Sequence, residues 1–155
     1  MPLQTIETFI QFKEYFKGFK DTLGIKDFVF GDSTRILNAQ NSVLDYPVLW
    51  LHTPDIKPYE SGGRKNRFTS DFLILKAAAV DDYDQQESNF NDCLEIVWKV
   101  LRKMERDAET GIFDFDIDSA DIQPKSAMSA DNMNGWFVTF SMSTPGCSDE
   151  CCDDD

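Results

Sequence analysis

Hydrophobic and polar positions alternate most regularly near the C-terminus, where Trp136, Val138, Phe140 and Met142 share one face of a period-two segment and Phe137, Thr139, Ser141 and Ser143 share the other. This predicts a strand from Gly135 to Ser143 that buries one side and offers hydroxyls to solvent or a neighbouring subunit, as an edge or assembly strand would. Asn132 and Asn134-Gly135 precede it and predict a tight turn, since both residue types tolerate positive φ. Helical periodicity appears twice. Ile6, Phe9, Ile10, Phe16, Phe19 and Leu23 recur at three- and four-residue steps, which predicts a helix from Thr5, as N-cap, to Leu23, stopped by Gly24. Phe90, Cys93, Leu94, Val97, Val100, Leu101 and Met104 form a second stripe over Asp84 to Ala108, closed by Gly111. Its charges suit the helix dipole, with Asp81, Asp82, Asp84 and Glu87 at the start and Arg102, Lys103 and Arg106 near the end.

Pro47 to His52 is apolar almost throughout, and within the strand expected at Phe68 to Ala79 the run Phe72, Leu73, Ile74 and Leu75 again shows no polar face, the pattern of central strands buried on both sides. Thr53 to Asn66 between them holds two prolines and Gly62-Gly63, and reads as a long hairpin loop over residues 53–67. Short strands are expected at Ile112 to Asp118 and Ile122 to Met128, forming a meander with the last one, and a turn of helix at Thr34 to Asn41. This order predicts an α+β domain, a mostly antiparallel sheet with two main helices packed on it, over residues 1–144. Residues 145–155 form an acidic tail with Cys147, Cys151 and Cys152, expected to be disordered.

Composition narrows the function classes. With 155 residues and 41% hydrophobic positions, one folded core is expected despite a net charge of -13. That charge argues against sequence-specific or non-specific nucleic-acid binding, which needs clustered cations to displace counterions. It also makes copies repel one another unless their contacting faces are locally complementary. No apolar stretch reaches the roughly 20 residues of a membrane span and no basic-apolar leader opens the chain, so a cytosolic protein, or one in an assembly built there, is expected.

Candidate chemistry is sparse. Asp114, Asp116 and Asp118 at period two would project from one face of a strand, opposite Phe113, Phe115 and Ile117, and such a row could hold a divalent cation. As a calcium loop it has Ser119 at the turn-glycine position, Asp121 at an apolar one and Lys125 in place of the bidentate Glu, so an acidic face towards solvent or a subunit is the preferred reading. The spacing of Cys147, Cys151 and Cys152 lacks a second ligand pair for zinc. His52 is the single histidine, without a Ser or Cys partner legible in sequence, and is read as a strand-end residue making one hydrogen bond. Cys93 is read as a buried small hydrophobe, and Trp50, Trp98 and Trp136 as core or interface anchors. No enzyme and no cofactor are expected.

In its N-terminal helix, the Pro47 to His52 strand, the long hairpin, the Glu87 to Arg106 helix and the closing Gly135-Trp136 … Phe140 strand, the chain resembles the tail-terminator and tail-completion (head–tail joining) proteins of tailed bacteriophages. The resemblance covers Thr5 to Ser143 and rests on type and order of elements. It implies a non-enzymatic virion protein at the neck or tail, assembled in the host cytoplasm as a hexameric or dodecameric ring that meets other neck, portal or tail proteins, and it supplies no catalytic residues. The expected ring contact joins Lys57, Arg64, Lys65 and Arg67 of one hairpin to Asp114, Asp116 and Asp118 of the next copy. Two readings stand against it, a divalent-metal module built on those three aspartates and a monomeric regulatory domain.

Overall fold

Each of the two described helices begins where a side chain can satisfy its unpaired amides. In the computed structural model, which describes residues 5–31, 44–59, 65–128 and 132–144, helix α1 spans Phe9–Lys17. Thr8, not Thr5, is its N-cap. The Thr8 Oγ1 accepts from the Gln11 amide at 3.2 Å while Gln11 Oε1 accepts from the Thr8 amide at 3.0 Å, a reciprocal capping box. The helix also stops before Leu23, because Asp21, Leu23 and Gly24 take positive φ and turn the chain. Its buried stripe is Phe12 and Phe16, with Phe19 just beyond, whereas Ile10 is 59% exposed, so the periodicity read from sequence was out of phase at two positions. Helix α2, Tyr83–Glu109, matches its expected stripe closely and starts at Asp82, whose side chain accepts from the Gln85 amide.

Among the described residues seven strands form one mixed sheet: β1 Asp27–Phe30, β2 Val48–Leu51, β3 Asp55–Tyr59, β4 Lys65–Ala77, β5 Asp114–Phe115, β6 Asp121–Met128 and β7 Met133–Ser143. Only β1 and β2 run parallel. The long antiparallel pair of β4 and β7 is the spine, in register from Arg67↔Ser143 to Ala77↔Met133. Beyond β4 lie β2 (with β1 outside it) and β3; beyond β7 lie β6 and β5, at opposite ends of that strand. The fold class is therefore α+β with a mostly antiparallel sheet.

Several expected details change. Strand β7 is not an edge strand, since β4 flanks it on one side and β5 and β6 on the other. Asn134-Gly135 lies inside β7 rather than in a turn, and Asn132 carries the positive φ. Gly135 serves close approach: a Cβ there would lie 1.8 Å from the carbonyl oxygen of Ile74. Much of the presumed hairpin loop is strand, because β3 pairs with the first residues of β4. Ile112 to Asp118 is not one strand either; β5 has two residues and gives way to a 3-10 turn at Ile117–Ser119, and it pairs with β7 rather than with β6. The expected helical turn at 34–41 and the tail at 145–155 lie outside the described residues.

Alternation along the strands separates two faces. One face meets both helices and holds the main core, including Phe68, Phe72, Ile74, Val138, Phe140 and Met142. Phe12 stacks on Phe68 with ring centroids 5.1 Å apart, and Phe16 lies 5.3 Å from Phe140. The opposite face carries a smaller cluster of Val48, Trp50, Leu73, Leu75 and Met133. Two polar groups buried on α2 are answered: Asn89 donates to the Ala77 carbonyl, and Asp107 accepts from Tyr15 Oη and Lys103 Nζ, each at 2.7 Å.

Candidate functional site

Register places one row of charges across the whole sheet. Lys57 on β3 pairs with Arg67 on β4, Arg67 with Ser143 on β7, and Ser143 with Asp114 on β5. All four lie on the sheet face opposite the helices, and the row runs from cation to carboxylate over three interstrand steps, about 15 Å. Lys57 is exposed at the β3 edge and Asp114 is exposed at the β5 edge. Lys65 heads β4 opposite Tyr59, and Arg64 lies outside the described residues.

The three aspartates are exposed but do not form one row. Asp114 belongs to β5, whereas Asp116 caps the 3-10 turn, its Oδ1 accepting from the Asp118 amide at 3.0 Å. Short backbone preferences won over the period-two pattern here: once Asp116 bonds the amide two residues on, the chain leaves the strand path. Among the described residues no group of three His, Cys, Asp or Glu side chains is placed to hold a metal ion.

Arg67 lines a cleft of about 630 Å³ together with Glu105 and Glu109 of α2, Asp114, Asp116 and the hydroxyls of Ser119, Ser141 and Ser143. Four carboxylates of its own subunit thus share a cleft with this arginine, which offsets its charge before any neighbour arrives. A second groove, about 490 Å³, adjoins that cleft along α2, sharing Glu105, and is lined by Leu23, Lys99, Arg102, Glu105 and Arg106. Sequence reading had assigned Arg102 and Arg106 only to the helix dipole. The legible signal was the 99, 102, 106 spacing, which puts three cations on one side of a helix.

His52 sits on the same sheet face as the charge row. Its Nδ1 lies 2.8 Å from Asp71 Oδ2 and its ring meets the Trp50 ring edge-on at 4.5 Å. Nε2 is buried and has no hydrogen-bond partner among the described residues. The neighbouring Ser70 hydroxyl donates to the backbone carbonyl of His52 at 2.7 Å, so it is turned to the backbone rather than to the imidazole. The one side-chain hydrogen bond expected of His52 is thus made to Asp71.

Cys93 is fully buried, and burial pushes its thiol up to about 12. Trp50 and Trp136 anchor through their indole N–H to the carbonyls of Gly31 and Phe90, while Trp98 is 42% exposed on α2. No helix among the described residues is long and apolar enough to cross a membrane.

Comparison with protein-family models, curated proteins and solved structures gave no significant match.

Proposed function

We propose that this chain is a non-enzymatic virion structural protein, a ring-forming subunit at the neck or tail end of a tailed phage, in a tail-terminator or head–tail connector role. One observation carries the reading: an acidic protein places an exposed cation at one edge of its sheet and an exposed carboxylate at the opposite edge, in a single cross-strand row. Head-to-tail association needs two different, complementary patches on each copy, and it closes into a ring when the rotation per step permits. A C2 dimer would use one patch twice and gain nothing from this polarity.

The two long outer strands limit how copies can meet. Strand β3 carries Lys57-Pro58 and strand β6 carries Pro124-Lys125, and both the missing amide of proline and the charge of lysine oppose edge-to-edge pairing. At these two strands, contact between copies is therefore made by side chains and not by extending the sheet. Its partners would be further copies and other neck, portal or tail proteins, in the virion. Native mass spectrometry and negative-stain microscopy across a concentration and salt series test the proposal. Closed rings that weaken as salt rises are expected. A chain that stays monomeric at every concentration and with virion partners would favour the regulatory-domain reading instead.

A further inference from the structure

We infer that the surface receiving the neighbour is the groove along α2 formed by Leu23, Lys99, Arg102 and Arg106, and that its occupant is the acidic β5 edge of a second copy; this rests on the ring reading above. At net -13, copies associate only through whatever positive surface the subunit keeps. The hairpin expected to supply it is compromised, because Arg67 shares its cleft with Glu105, Glu109, Asp114 and Asp116 of its own chain. The α2 groove has three cations against the single carboxylate Glu105. None of the three forms an ion pair among the described residues, whereas the nearby Lys103 is held by Asp107 at 2.7 Å.

The groove is a surface distinct from the acidic β5 edge, as association through two different patches requires. At about 100° per residue, Lys99, Arg102 and Arg106 lie on one flank of α2 and Ala108 on the other. The basic flank faces the α1–β1 connection, where Leu23 lines the groove and Gly24 approaches Ile96. The acidic flank faces β5, with Glu105 and Ala108 lining the cleft beside Asp114 and Phe115. The basic groove and the acidic cleft are thus neighbouring surfaces that adjoin along α2 and share Glu105. Trp98, one helical turn before Arg102 and 42% exposed, stands beside the groove as an aromatic anchor of the kind that carries interface affinity. A short acidic edge suits this surface better than a long polyanion, because the exposed Glu95 and Glu109, outside the groove lining, would repel a phosphate backbone running along the whole helix.

The test uses the full chain and three variants, each altered only on exposed side chains: Arg102→Glu with Arg106→Glu, Asp114→Lys with Asp118→Lys, and Lys57→Glu. Ring formation is followed by native mass spectrometry and fold by circular dichroism. Reversing either the groove or the acidic edge should weaken assembly by roughly a hundredfold, as expected when like charges are forced together. Mixing those two variants should restore mixed, alternating rings, because both reversed surfaces are again complementary; this separates a lost contact from a lost fold. Lys57→Glu, which reverses only the cation at the β3 edge, should also weaken assembly, but less. Should the groove variant assemble like the parent while Lys57→Glu abolishes rings, the hairpin is the receiving surface and this inference falls while the ring reading survives. A parent that never assembles overturns both. A parent that stays monomeric and binds a short single-stranded oligonucleotide through Arg102 and Arg106 would replace the second copy with nucleic acid, and would also overturn it.

Discussion

The two faces of the sheet are built from the same alternating strands, yet they carry different burdens. On the helix-covered face, even-numbered positions of β4 and β7 meet Phe12 and Phe16 of α1 and the apolar stripe of α2 in one continuous aromatic core. On the other face, the buried cluster around Trp50, Leu73 and Met133 is small. Further along the same face come Arg67, Thr69 and Asp71 on β4 and Thr139, Ser141 and Ser143 on β7. The difference teaches where free energy and where association reside. Stability comes mainly from the covered face, because apolar area removed from water scales with the size of the rings buried there. The uncovered face and the edges keep the polar groups that a partner could read.

Core truncations should show the largest effect. Phe12→Ala should cost about 3–5 kcal/mol and Leu73→Ala, on the smaller cluster, about 2–3 kcal/mol, both read from urea unfolding at constant m-value. Equal losses at the two sites would break the proposed inequality between the faces.

Gly135→Ala tests the contact between the two central strands. The added methyl meets the Ile74 carbonyl oxygen, a backbone atom that a rotamer change cannot move, so about 2–3 kcal/mol should be lost and amide protection should fall at the Ile74–Leu75 segment. A neutral outcome would mean that the bulge opposite Gly135, where β6 shifts register between Lys125 and Met128, absorbs the strain.

Alkaline pH probes the covered face. Burial raises the Cys93 thiol from 9.0 to about 12, and it raises the Tyr15 phenol still further, with the hydrogen bond to Asp107 and the repulsion of its charge adding to the effect. Between the unfolded and folded ionisation points the native chain holds more protons than the unfolded one, so stability present below about pH 9 should decline as pH rises. Tyr15→Phe should cost about 1 kcal/mol at neutral pH, by leaving Asp107 with one partner fewer, and should flatten the alkaline decline. An unchanged slope in that variant would remove Tyr15 as a cause.

Smallest of all should be Ser141→Ala on the uncovered face. Its hydroxyl pairs only with Thr69 Oγ1 at 3.2 Å, in an exposed position, so less than about 0.5 kcal/mol is expected. A larger loss in the assembled protein than in the monomer would show that this face is covered in the ring.

Periodicity by itself determined the elements whose pattern agreed with their surroundings. The α2 stripe, the unbroken apolar run of β2 and the two-sided alternation of β7 were all legible, because their apolar residues can be buried in only one phase. Where local signals competed, neighbours decided. Thr5 and Thr8 both offer a cap, and Gln11 selected Thr8 by completing the box. Asn134-Gly135 is good turn chemistry, yet Gly135 was needed where β7 runs against Ile74. Asp116 chose a local amide over the strand path of its neighbours. Net charge, too, follows from the sequence, but its distribution does not: strands far apart in the chain put Lys57, Arg67 and Asp114 in one row, and the packing of α2 against the β5 edge and the α1–β1 connection gave the two adjoining surfaces along it opposite signs. Composition sums charges without regard to place, whereas recognition depends on which of them share a surface, and only the tertiary fold makes that assignment.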